Sequence, residues 1–131
     1  MKKFLIYTSI VGALFFLLFI QCAESGGQSQ QLYNTYCGSC HLNTGIGVGE
    51  LIPSIVASTK FEENRDEVIC QIRYGIKDET NPTVYTMPPN ELLSETEITN
   101  ILNYIRKEWH TDVDEFSLQE VKKTLSICNQ N

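Results

Sequence analysis

The chain has 131 residues, with 16 acidic and 10 basic side chains and a net charge of −6. So acidic a chain is a poor nucleic-acid binder, because phosphate contacts need Lys and Arg, and one apolar run does not make a multi-span membrane protein. Its five cysteines are an odd number, and each needs an explanation.

The apolar run opens the chain. Phe4 to Ile20 holds 14 hydrophobic residues in 17 and no charge, behind Lys2 and Lys3. This is the layout of a secretory leader over residues 1–21. Cys22 follows directly and resembles the acylated cysteine of a bacterial lipoprotein. A retained signal anchor is the alternative, since 17 apolar residues are just long enough to span a bilayer. Either outcome tethers the rest of the chain to a membrane that faces an oxidising space; the expected location is the bacterial periplasm, as a membrane-anchored lipoprotein. Losing the leader removes two basic residues and leaves a charge of −8. Residues 22–29, with Gly26, Gly27, Gln28 and Ser29, read as a flexible tether, and residues 30–131 as one domain.

A first helix is expected from Gln30 to Tyr36, with Leu32, Tyr33 and Tyr36 on one face. It runs into Cys37-Gly38-Ser39-Cys40-His41, which is C-x-x-C-H, the attachment sequence of c-type haem. Two thiols three residues apart near a helix turn can add to the two vinyl groups on one porphyrin edge. The next residue, His41, then lies under the iron. Zinc would need two further ligands at paired spacing, whereas Cys70 and Cys128 are single and distant. A thioredoxin-type pair would follow a buried apolar strand, and the residues before Cys37 are polar with apolar members at helical spacing. A plain Cys37–Cys40 disulfide gives His41 no role. The loop from Asn43 to Glu50, with Gly45, Gly47 and Gly49, lacks the Gly-Lys-Ser/Thr of a phosphate loop and is read as wrapping the ring.

The second helix is expected from Arg65 to Tyr74, capped by Asn64 with Glu67 three residues on. Val68, Ile69 and Ile72 form its apolar face, and Gly75 stands at a left-handed stop. The loop from Lys77 to Asn90 contains Tyr85-Thr86-Met87-Pro88-Pro89. A second axial ligand for haem iron is usually Met or His, and Met87 is the only methionine left once Met1 goes with the leader. The two prolines stiffen its segment. His110 is the rival ligand, but next to Trp109 near a helix end it reads as an exposed or capping histidine. The third helix starts at Ser94 with Glu97 as a capping box and carries the stripe Ile98, Ile101, Leu102, Ile105 and Trp109. The last starts at Ser117 with Glu120 as partner and places Leu118, Val121, Leu125 and Cys128 on one face. No stretch alternates with period two, so the fold class is all-α. In an exported protein two spare thiols more often pair than stay free, so a Cys70–Cys128 disulfide is expected; two buried free thiols are the alternative.

Residues 30–127 resemble class I mono-haem cytochrome c: Leu32-Tyr33, the C-x-x-C-H, Gly45 to Ile55, Ile72 to Ile76, Met87-Pro88-Pro89 and Leu93 to Arg106 all have counterparts there. The resemblance implies a small helical domain wrapped around one covalently attached haem c. It implies iron ligation by His41 and Met87, thioethers at Cys37 and Cys40, and a Pro53 carbonyl that accepts the His41 ring N–H. It further implies one-electron transfer between redox protein partners, a donor and an acceptor, rather than catalysis. The Met-Pro-Pro and the Trp after the last core helix are similar to domains attached to terminal oxidases, nitrite reductases and alcohol dehydrogenases. The remaining readings are a subunit of a larger respiratory complex, or a haem peroxidase or gas sensor with an open distal position. The acidic charge suits a partner with a basic docking patch, or serves solubility alone.

Overall fold

The computed structural model describes residues 25–77 and 86–128. The expected leader, the lipidation candidate Cys22 and Tyr85 lie outside these. The described residues form six helices in order: α1 Ser25–Tyr36, α2 Gly38–His41, α3 Lys60–Glu63, α4 Arg65–Tyr74, α5 Glu95–Trp109 and α6 Leu118–Cys128. The described residues form no strand, only two isolated antiparallel bridges, Val48 with Ile52 and Ile76 with Met87. The domain is all-α, as expected. Among the described residues no helix is long and apolar enough to cross a membrane.

Three helix starts are set by local side-chain chemistry. Asn64 Oδ1 accepts the Glu67 N–H at 3.2 Å. Ser94 and Glu97 close a full capping box, with the Ser94 N–H donating to Glu97 Oε2 at 2.8 Å. Ser117 Oγ accepts the Glu120 N–H at 3.1 Å. Each such cap is worth about 1 kcal/mol. The Ser94 pair also holds the Glu97 carboxyl below its usual range, because the Ser94 backbone and side chain both donate to it.

α1 is described from Ser25 on and takes in Gly26 to Ser29, ahead of the expected start at Gln30. Within it, Gln30 hydrogen-bonds the Tyr104 side chain on α5. α1 crosses α5, and Tyr33 is fully buried at the crossing. Its ring lies 5.3 Å from Tyr104 and 5.3 Å, edge-on, from Trp109, and its hydroxyl donates to the Leu42 carbonyl at 2.9 Å. Tyr36, expected on the same face, is instead exposed. One helix-width contact accommodates Tyr33 with Leu32 at its edge, and Tyr36 falls beyond it.

α6 packs on α4 and α5. Phe116, Val121 and Leu125 are buried there, whereas Leu118 is exposed. The link into α6 is gripped from α5: Asn103 Nδ2 donates to the Phe116 carbonyl at 2.9 Å, and its Oδ1 accepts the Phe116 N–H at 2.8 Å. Arg65, at the start of α4, makes a two-pronged pair with Glu120 at 2.9 and 3.0 Å. It also donates to the Asp114 carbonyl at 2.8 Å and lies 3.8 Å over the Phe116 ring. Cys70 of α4 and Cys128 of α6 are bonded, with Cα atoms 5.9 Å apart.

Candidate haem site

α1 passes into α2 almost without a break. The Cys37 N–H donates to the Tyr33 carbonyl at 2.8 Å and the His41 N–H to the Cys37 carbonyl at 2.9 Å. One helical turn therefore separates Cys37 from His41. Cys37 is buried and Cys40 exposed, and both are free thiols, so the pair is not a Cys37–Cys40 disulfide. Burial pushes the Cys37 thiol up to about 12, and the neighbouring Cys40 adds to the shift. The pair follows the helix α1, not the buried strand that precedes a thioredoxin-type pair. Among the described residues no group of three or more His, Cys, Asp or Glu is placed to hold a metal ion together.

The loop after α2 folds back on itself. The Gly47 N–H donates to the His41 carbonyl at 3.1 Å, and the Val48 N–H to the Ile52 carbonyl at 2.9 Å. Gly47 has φ of +69°, and a Cβ there would overlap the Ile52 carbonyl, so only glycine permits the approach. The return brings the Pro53 carbonyl to 3.1 Å from His41 Nδ1. A carbonyl only accepts, so Nδ1 carries the hydrogen and Nε2 keeps its lone pair for a ligand. Burial lowers the His41 pKa, against the opposing pull of the Pro53 hydrogen bond. The imidazole is thus held neutral, the form that binds metals.

Met87 arrives from the other side. Ile76 and Met87 exchange both backbone bonds, at 2.9 and 3.0 Å. Gly75 makes this possible. Its φ of 74° and ψ of −172° fall in a region essentially reserved for glycine, and not in the left-handed helical stop that the sequence suggests. The extended ψ turns the chain directly into the bridge, and a Cβ would overlap the Met87 carbonyl. Arg73 and Asn90 pin the same segment: Arg73 Nη1 donates to the Glu91 carbonyl at 2.9 Å, and the Asn90 N–H to the Arg73 carbonyl at 3.1 Å.

Cys37, His41, Pro53 and Met87 line one cavity of about 750 Å³. Ile55, Phe61, Val68, Ile72 and Ile105 supply apolar walls, and Lys60, Glu67 and Gln71 a polar margin. The volume and lining are those of a cofactor pocket. A thiol, a neutral imidazole and a thioether facing one apolar space fit a covalently held haem. A smaller recess of about 460 Å³ beside Arg65 holds none of these groups.

Two site-related features were not foreseen. Phe61, on the short helix α3, is buried and walls the cavity; only its isolated apolar character between polar neighbours hinted at it. His110 is buried, not exposed: it stacks on Phe61 at 4.5 Å, and its Nε2 lies 3.0 Å from the Ile55 carbonyl. It does cap α5, through its backbone N–H to the Arg106 carbonyl at 2.9 Å. Packing against α3 covers it, which a reading of α5 alone does not reveal. His110 is not among the cavity-lining residues.

Residues 25–105, more than half of the chain, match a protein family described as cytochrome C oxidase, cbb3-type, subunit III. No curated protein matches the chain. The matched span contains the C-x-x-C-H, Pro53, the α4–Gly75 turn and Met87, so it coincides with the cavity and its walls. A domain of this kind implies covalently bound haem c, redox protein partners and electron transfer, and is usually periplasmic in bacteria. Since the match and the cavity rest on the same residues, the chain belongs to the cytochrome c family of cbb3-type oxidase subunit III.

Proposed function

We propose that this chain is a one-electron carrier with a single haem c. Cys37 and Cys40 would form the thioethers, and His41 and Met87 the axial ligands. When bound, the haem supplies the reversible one-electron couple. The observation that supports this most directly is the shared cavity, which joins C-x-x-C-H to a methionine 46 residues after His41. Pro53 orients His41 and keeps its Nε2 free. The Gly75 bridge presents Met87 from a fixed backbone, so the two ligands need not move between oxidation states. The apolar walls exclude water, which limits reorganisation, and a Met sulfur favours the reduced state relative to a second His.

In this reading the domain works in the bacterial periplasm, tethered through a lipidated Cys22 or a retained signal anchor. It passes electrons between respiratory partners such as a terminal oxidase, a nitrite reductase or a dehydrogenase. Visible and near-infrared spectra of the purified protein test the core of it. A low-spin ferric spectrum with a near-infrared Met–Fe(III) band is expected, and Met87→Ala should abolish that band. A high-spin ferric spectrum, or fast CO binding by the reduced form, would instead favour a peroxidase or gas sensor. Mass spectrometry of the mature N-terminus tests the tether; an unmodified start at Ala23 or Ser25 would refute it.

The family match favours a second reading, in which the chain is a fixed subunit of a larger respiratory complex. Copurification with oxidase subunits from solubilised membranes would support it over a free shuttle.

A further inference from the structure

We infer that His110 is a positioning residue for the proximal ligand, acting on His41 through the Pro53–Ile55 segment. The inference rests on His41 being an iron ligand and adds what holds it in place. The segment is clamped at Ile55 from two sides. Its N–H donates to the Gly45 carbonyl at 2.8 Å, and its carbonyl lies 3.0 Å from His110 Nε2. Because a carbonyl only accepts, Nε2 carries the hydrogen. Upstream, the Val48 N–H holds the Ile52 carbonyl at 2.9 Å. The Pro53 carbonyl therefore sits between two fixed points, and it is this carbonyl that meets His41 Nδ1 at 3.1 Å.

His110 is itself immobilised by three segments. Its N–H caps α5 on Arg106, its carbonyl accepts the Val113 N–H at 3.0 Å, and its ring stacks nearly parallel on Phe61 with 12° between planes. It is 6% exposed. A phenyl ring could fill this space and stack, but could not donate to Ile55. The imidazole N–H is the part that stacking and space-filling do not explain. Through it, the end of α5 sets the position of the carbonyl that orients the proximal imidazole. A firm Nδ1–H bond makes the ligand more basic and favours the oxidised iron; loosening it should raise the midpoint potential.

The test compares His110→Phe, which keeps the ring, with His110→Gln, which keeps a donor at similar reach. The readouts are midpoint potential and the NMR position of the His41 Nδ1–H proton in the reduced holoprotein. His110→Phe should raise the potential and shift that proton, and His110→Gln should restore more than half of both changes. If His110→Phe accumulates too little holoprotein, the near-isosteric pair His110→Met and His110→Gln makes the same comparison. Donor-lacking and donor-keeping variants with equal potentials and equal proton positions would overturn the inference. The wild-type spectrum separates the two levels: without a His/Met low-spin signature the ligand assignment itself fails, whereas a normal wild type with indistinguishable variants removes only the role of His110.

Discussion

The walls of the cavity and the C-terminal corner are built on opposite plans. Around α6, protein packs on protein: Phe116, Val121 and Leu125 are buried, Arg65 and Asn103 grip the linker by side-chain bonds, and a covalent bond ties Cys70 to Cys128. Around the cavity, loop 42–59 is held mainly by backbone bonds within itself and loop 86–93 mainly by backbone bonds to Arg73 and Ile76, and both face a space of about 750 Å³. Apolar walls around a cavity of this size gain the burial that stabilises a core only from the group that fills it. The corner can thus stand on its own contacts, whereas the cavity side needs its cofactor as part of the core.

The largest expected effect separates these regions. A Cys37→Ala/Cys40→Ala chain, unable to bind haem covalently, should lose most of the roughly 5–15 kcal/mol typical of a domain. Its amides in 42–59 and 86–93 should exchange close to freely while α5 and α6 keep partial protection. Uniform native-like protection in hydrogen exchange would erase the contrast. Next comes the corner's own staple. Removing the 58-residue cross-link with Cys70→Ser/Cys128→Ser should cost up to about 4 kcal/mol in the chain-entropy picture. Denaturant unfolding would show this, with the Met–Fe(III) band unchanged in the native protein.

Gly75→Ala should do the reverse. The backbone strain alone is worth about 1–3 kcal/mol, and the overlap with Met87 should weaken or abolish the near-infrared band. A full-strength band with unaltered stability would contradict the role given to the glycine.

The smallest effect is a pH dependence at the corner. Arg65 hydrogen bonding holds the Glu120 carboxyl below its usual range, against a smaller opposing effect of burial. A depressed carboxyl contributes stability that is present above its unfolded value, about 4.3, and is lost as pH falls through the lower folded value. Glu120→Gln should therefore be less stable than wild type at neutral pH by about 1 kcal/mol. The gap should close in acid melts below about pH 4; a gap that persists there would place the effect in packing rather than charge.

What was legible from the residues alone was local or covalently spaced. Asn64–Glu67, Ser94–Glu97 and Ser117–Glu120 are three residues apart, so their caps form wherever the chain turns helical. C-x-x-C-H puts its groups on one helical turn for the same reason. Harder to read were Phe61, His110 and the two-sided hold of Arg65 on the α6 linker. Their partners lie 49 to 55 residues away, and neither spacing nor composition encodes such distances. Gly75 was read as a stop, but its ψ depends on the chain it meets, the Met87 segment.

By itself, the sequence determined the helical class, the helix starts, the candidate thiols and imidazole, and the one methionine placed to face them. Periodicity and capping act over a few residues and need no partner. The tertiary structure realised the meeting of Pro53 with His41 that the resemblance implies and put Met87 in their cavity, and it alone decided that a buried His110 meets the Ile55 carbonyl just beyond Pro53. Those contacts exist because distant segments exclude each other's water and complete each other's hydrogen bonds, and that requires the whole domain to be folded.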